Sequence, residues 1–235
     1  MSIKIFLDSA EIKNFKKYKN SNLVKGFTTN PTLMRKAGVI NYENFCKKVI
    51  TIIKQKPVSF EVFADDYEGI KQQAIKISNL ANNVYVKIPI INTKNLLNTK
   101  LIGELNKKGK KINVTAVFKK EHTQEILKKI GKITPIIISV FCGRLADAGV
   151  DPKKEITKHL KLVKEFPNVK ILWASVRESY NLIEAKMLGC HIITISPEIL
   201  NKIKTFNKDL NKFTTETVKT FYLDAKKSKY YIGSL

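Results

Sequence analysis

The sequence has no apolar run approaching the roughly 18 residues that a membrane-crossing helix needs, so no transmembrane helix is predicted. Its three cysteines, Cys46, Cys142 and Cys190, lie far apart, with no CxxC pair and no metal-type spacing. That excludes a disulfide scaffold and leaves free thiols of a reducing compartment as the expectation. The opening MSIKIFLDSAEIK lacks the basic flank and apolar stretch of a secretion signal, which points to the cytoplasm. No linker or low-complexity segment interrupts the chain, and a single domain over 1–235 is expected. Acidic residues are few: 20 against 43 basic ones give a net charge of +23. Such a charge brings nucleic acid, anionic surfaces and anionic small substrates into view. However, the lysines are spread over nearly every segment, without an arginine-rich arm, a basic tail or an interleaved aromatic platform. Nucleic acid and membrane are therefore not expected as partners, and phosphorylated small molecules are.

What is present is an alternation. Eight short β-branched runs occur at 3–8, 23–29, 58–64, 84–90, 112–118, 135–141, 170–176 and 191–197. Between them the apolar residues recur at three and four positions, as in EILKKI and HLKLVKEF, which is the period of an amphipathic helix. Near-continuous apolar strands alternating with helices imply a parallel sheet covered by helices. Eight such units favour a closed (β/α)8 TIM barrel over an open sheet, with 212–235 as an additional C-terminal helix and tail. Gly109, Gly131 and Gly189 stand where helices should stop, and Asp151-Pro152 where one should start.

In such a barrel the chemistry gathers at the C-terminal ends of the strands. The runs end in Asp8, Thr28 with Asn30, Glu61, Lys87, Asn113 with Thr115, Ser139 with Arg144, and Ser175 with Arg177. Buried polar groups cost free energy unless satisfied, so convergence on one cavity is the economical explanation. Lys87 is the most telling of them. Its neighbours Val86 and Ile88 point to the opposite face of the strand, which aims Lys87 into the barrel. An ammonium stripped of water gives up its proton more readily, and a neutral amine is the nucleophile for a ketone carbonyl. The competing readings are a side chain that reaches out to water, or a structural ion pair with Glu61 or Asp8.

With these residues in view, the chain resembles the transaldolase family, and in particular its short branch that includes the fructose-6-phosphate aldolases. The pieces that carry the resemblance are FLDSA (6–10), GFTTNPTL (26–33), VYVKIPI (84–90), INVTAVF (112–118), SVFCGRLAD (139–147) and ILWASVR (171–177), in family order. The resemblance implies that Lys87 forms the Schiff base and that Asp8 handles protons at the substrate hydroxyl. It implies that Glu61 and Thr115 act on a catalytic water. Thr28, Asn30, Asn113 and Ser175 would line the dihydroxyacetone site, with Arg144 and Arg177 on the phosphate. No metal and no organic cofactor is implied. Asp8 could instead cap the next helix, Thr28 and Asn30 could be turn residues, and either arginine could simply be solvated. His122, His159 and His191 fall outside the set, and Cys142 reads as a packing thiol.

Within the family, the aldolase branch typically carries glutamine at the position of Glu61 and tyrosine at that of Phe141. Glu61 and Phe141 thus resemble the transaldolase choice, which implies transfer of a dihydroxyacetone unit between sugar phosphates of the pentose phosphate pathway. Trp173 stands where a small residue is usual, and FADDY (63–67) is unexpectedly acidic for the neighbourhood of a phosphate site. Short members of the family assemble into pentamers or decamers, so a homo-oligomer is the expectation, with Phe221, Tyr222, Tyr230 and Tyr231 as docking candidates.

Overall fold

Strands that are apolar on both faces can be buried only between a core and a coat of helices. In the computed structural model, which describes residues 3–233, eight parallel strands close on themselves in chain order. They are β1 (Lys4–Asp8), β2 (Val24–Thr28), β3 (Val58–Glu61), β4 (Val84–Pro89), β5 (Ile112–Val117), β6 (Ile136–Val140), β7 (Val169–Trp173) and β8 (Ile192–Ile195). The last strand pairs with the first, from Lys4 opposite Ile192 to Leu7 opposite Ile195. All eight expected runs are strands, and the fold is the expected (β/α)8 barrel. Expected residues 1–2 and 234–235 of the domain lie outside the described residues.

The helices are α1 (Ile12–Tyr18), α2 (Pro31–Lys36), α3 (Tyr42–Ile53), α4 (Tyr67–Ser78), α5 (Thr99–Lys107), α6 (Lys120–Lys129), α7 (Cys142–Asp147), α8 (Pro152–Leu162), α9 (Asn181–Met187), α10 (Pro197–Ile203) and α11 (Leu210–Ser228). Asp151 caps α8 as expected, accepting from the Lys153 amide at 2.9 Å, with Pro152 in the first turn. Gly109 and Gly189 adopt the left-handed conformation that ends a helix. Gly131 does not: α6 ends at Ile130 in extended backbone, and the Gly131 amide instead donates to Asn106 Oδ1 at 3.0 Å. Two short helices, α2 and α7, were not expected.

Residues through Leu200 form one compact unit and those from Asn201 a second. Inside the barrel, Phe6, Ile137, Leu172, Ala174 and Ile192 form a buried cluster, with half-buried Tyr85 and Phe141 against it. Gly26 on β2 is needed there, because a β-carbon would lie 2.6 Å from the Phe6 ring. Each such fully buried large side chain contributes ~1.5–3 kcal/mol relative to exposure. In the second unit, α11 is capped by Asp209, which accepts from the Lys212 amide at 2.8 Å, and none of its residues is buried. Among the described residues no helix is long and apolar enough to cross a membrane.

Candidate active site

Register places the ionisable strand ends side by side. Glu61 on β3 lies opposite Lys87 on β4, Lys87 opposite Asn113 on β5, and Asp8 on β1 opposite Thr28 on β2. Lys87 is 6% exposed. Its Nζ lies 3.0 Å from Glu61 Oε2 and donates to the Thr29 carbonyl at 3.0 Å. Of the readings open for Lys87, escape to water is thus removed, and the partner is Glu61 rather than Asp8. The α3 residue Tyr42 holds the same corner, its hydroxyl donating to the Glu61 carbonyl at 2.5 Å. Burial pushes the Tyr42 hydroxyl well above the ordinary phenol range.

Asp8 is not a helix cap. The N-cap of α1 is Glu11, and the Ser9 hydroxyl before it accepts from the Glu11 amide at 3.2 Å and from Asn14 Nδ2 at 2.9 Å. Asp8 Oδ1 accepts from the Thr28 hydroxyl at 2.8 Å. Burial raises the Asp8 carboxyl above its ordinary range; the Lys87 charge and the Thr28 hydroxyl oppose this, and Glu61 adds to it. A second polar chain crosses the floor of the site. The Ser139 hydroxyl donates to Asn113 Oδ1 at 2.6 Å, and Asn113 Nδ2 donates to the Ser59 hydroxyl at 3.0 Å. Beside it, the Thr115 hydroxyl is buried with no protein partner among the described residues. A register shift in β5 and a left-handed Ala116 (φ 56°) follow directly after Thr115. A bulge of this kind re-aims a side chain at a strand end.

Asn30 is the N-cap of α2, its Oδ1 accepting from the Leu33 amide at 2.9 Å. Its oxygen is therefore engaged by the helix start, while its amide nitrogen bonds no protein group among the described residues. At the far rim, α7 begins after Phe141 and packs tightly on the end of β7. A β-carbon on Gly143 would fall 1.5 Å from the Ser175 carbonyl oxygen and 3.2 Å from Arg177 Cγ. Ser175 itself is left-handed, at φ 62°. This contact joins Phe141, Arg144, Ser175 and Arg177 at one corner. The Arg144 guanidinium lies over the Phe141 ring, 5.6 Å from its centroid. Arg177 is exposed and grips Asp147, its Nε 3.1 Å from both carboxylate oxygens.

The acidic FADDY loop turns out to be structural. Asp65 accepts from the Thr93 amide at 2.8 Å, and Asp66 caps α4 through the Gly69 amide at 2.8 Å. Trp173 is buried and, lying between the inward-facing Leu172 and Ala174, turns to the helix side of the barrel. Cys142 is fully buried, and burial raises its thiol well above the ordinary range, as suits a packing thiol. His159 is buried between α6 and α8 with its Nδ1 2.7 Å from the Thr123 hydroxyl, away from the ring of strand ends. Sequence reasoning missed Tyr42, Ser59 and Thr194. The last two were detectable in principle, as single hydroxyls flanked by apolar strand residues.

The chain matches the family described as Transaldolase/Fructose-6-phosphate aldolase over residues 5–231. It is 37% identical to a "Probable transaldolase" of Methanococcus maripaludis, over 88% of this chain and 92% of the relative. It is 34% identical to one of Petrotoga mobilis, over 99% of both chains. Among solved structures, thiamine phosphate pyrophosphorylase from Pyrococcus furiosus shares the fold at a TM-score of 0.55 and 12% identity, over 83% of this chain and 85% of that one. A barrel with lysine, glutamate and aspartate meeting at its strand ends, matched over nearly its whole length, places this chain in the transaldolase/fructose-6-phosphate aldolase family of aldolase and transferase enzymes.

Proposed function

We propose that the protein is a transaldolase. It moves a dihydroxyacetone unit from fructose 6-phosphate or sedoheptulose 7-phosphate to erythrose 4-phosphate or glyceraldehyde 3-phosphate, in the pentose phosphate pathway of the cytoplasm. The observation that carries this reading is the buried Lys87 amine, 3.0 Å from the Glu61 carboxylate. The amine hands a proton to Glu61 and attacks the ketone carbon, forming a carbon–nitrogen bond. Loss of water then leaves an iminium. Glu61 and the unpartnered Thr115 hydroxyl together hold the water and protons of this step. Asp8 removes the proton from the hydroxyl on the carbon that becomes an aldehyde. The carbon–carbon bond breaks, its electron pair passes to the iminium, and an enamine remains on Lys87. Attack of the enamine on the acceptor aldehyde, with the steps reversed, completes the transfer. Asn113 and the free Asn30 amide bind the three-carbon unit, while Arg144 and Arg177 bind the phosphate. No step calls for a metal or an organic cofactor.

The runner-up is a fructose-6-phosphate aldolase, which hydrolyses the imine and releases dihydroxyacetone. Phe141 favours transfer, because its ring offers no hydroxyl to hold a hydrolytic water. Assembly with further copies of the chain belongs to the same reading. It is supported by the exposed Phe213, Phe221 and Tyr222 on α11, and a monomer by light scattering would remove it. The central experiment is borohydride reduction in the presence of fructose 6-phosphate. A reduced three-carbon unit on the Lys87 peptide is expected, and a label on any other lysine defeats the mechanism. Dihydroxyacetone release outpacing transfer to erythrose 4-phosphate would select the runner-up.

A further inference from the structure

Thr194 is the one polar side chain of β8, in the sequence IITI, and it is 6% exposed. If packing were the only demand, valine would fill the same space and suit a strand better. Its hydroxyl lies 2.5 Å from the Thr28 hydroxyl, which in turn donates to Asp8 Oδ1 at 2.8 Å. A threonine hydroxyl has a single hydrogen. Because Thr28 commits its hydrogen to the Asp8 carboxylate, the hydrogen between the two threonines comes from Thr194. The direction of the chain is thereby fixed: Thr194 donates to Thr28, and Thr28 donates to Asp8. In the barrel β1 lies between β8 and β2 and pairs with both. Thr28 is 2% exposed, so water does not compete for its lone pairs.

We propose that Thr194 is a positioning residue for the Asp8 base, acting through Thr28. This rests on the reading of Asp8 as the group that takes the substrate hydroxyl proton. A hydroxyl that accepts a hydrogen bond becomes a stronger donor, so Thr194 polarises Thr28 toward the carboxylate. It also keeps the Thr28 hydrogen from rotating away. The other groups acting on Asp8 are Lys87 from β4, which favours the carboxylate, and Glu61 from β3, which disfavours it. Both are also engaged in the Schiff-base chemistry, so their influence changes during turnover. The threonine pair carries no charge and is free of that chemistry. It gives Asp8 a constant source of stabilisation while Lys87 passes from ammonium to iminium to neutral enamine.

The test is the pH dependence of kcat/KM for ketose phosphate cleavage in the wild type and in Thr194→Val, Thr194→Ser and Asp8→Asn. Asp8→Asn should abolish the limb by which activity is lost toward acid. If the limb persists, the reading of Asp8 fails and the proposal with it. Given its loss, Thr194→Val should move the wild-type limb to higher pH by roughly half a unit, with a fall of about threefold on the limb and little change in KM. Thr194→Ser, which restores the hydroxyl, should return both. A limb unmoved in Thr194→Val overturns the proposal while leaving the role of Asp8 intact. Should Thr194→Val not fold, Thr194→Cys, with its weak thiol donor, must give the same displacement.

Discussion

Glu61 and Lys87 form an ion pair at 3.0 Å with side chains only 14% and 8% exposed, each on its own strand and directly opposite the other in register. Two charges taken out of water cost free energy that their attraction offsets only in good geometry. Removing one partner leaves the other uncompensated, at a cost of roughly 3–5 kcal/mol. Glu61→Leu and Lys87→Met should each destabilise the fold on this scale. The double substitution should cost much less than their sum, because no charge is left behind. Urea unfolding of the three variants measures this coupling, and additivity would mean that the pair is not felt by the fold. Glu61→Gln, which keeps the shape but cannot accept a proton, should lower transfer by about 10²–10⁴-fold.

Asp8 gives a pH signature with a determined sign. Its carboxyl is raised in the folded protein, chiefly by burial. The folded state therefore binds this proton more tightly than the unfolded state, and Asp8 costs stability as pH rises through its folded value. Replacing it with asparagine removes a buried charge. Asp8→Asn should raise Tm at neutral pH, lose that advantage on acidification below the ordinary carboxylate range, and be slowed by about 10²–10⁴-fold in carbon–carbon cleavage. A Tm lowered equally at all pH values would contradict the buried-charge account.

Gly143 cannot carry a side chain without moving either α7 or the end of β7, since the atom it would strike is backbone. Gly143→Ala should thus cost about 1–3 kcal/mol, which for a chain of this size lowers Tm by several degrees. Because the same contact positions Ser175 and the stem of Arg177, KM for phosphorylated substrates should rise alongside. A stable Gly143→Ala with unaltered KM would show that the corner is more pliable than its packing implies.

In the proposed mechanism, Phe141 is the residue that separates the two outcomes open to the enamine. Its ring packs on Phe118, with centroids 5.8 Å apart, and against the interior cluster. Phe141→Tyr adds a hydroxyl where none exists and should raise dihydroxyacetone release relative to transfer, read by assaying both products on one preparation. An unchanged ratio would deprive Phe141 of any part in the choice.

The barrel was legible because each strand is buried on both faces and so spells an almost continuous apolar word. The points at which strands stop were not. The run expected over 170–176 stops at Trp173, because Ser175 turns left-handed. Helices α2 and α7 have six residues each, too few to display a period. The meeting of ionisable strand ends was readable for the converse reason: Asp8, Glu61 and Lys87 are anomalies within apolar runs. Thr194 and Ser59 are fainter anomalies of the same kind, since a hydroxyl is tolerated in a strand without any role. Tyr42 carried no signal, for it lies on a helix and reaches a carbonyl 19 residues away. The Arg177–Asp147 pair spans 30 residues and depends on how α7 meets β7. Only the folded chain brings it together.

That pair yields the last expectation. Arg177 is the proposed phosphate ligand, yet Asp147 already occupies its fork, both groups being about half exposed. The bond lowers the Asp147 carboxyl and raises the Arg177 guanidinium, so each is held in its charged form. A phosphate must share the guanidinium with Asp147 or displace it. If sharing is the rule, Asp147 orients Arg177, and Asp147→Asn should raise KM for phosphorylated substrates. If displacement is, Asp147→Asn should lower KM several-fold, most clearly at low ionic strength, where surface charges are least screened. The exposure of the pair favours displacement, since an exposed ion pair holds its partners weakly. Arg177→Ala should raise KM for sugar phosphates roughly tenfold or more while leaving free dihydroxyacetone almost unaffected. Equal losses on both substrates would remove Arg177 from the phosphate site, and Asp147 with it.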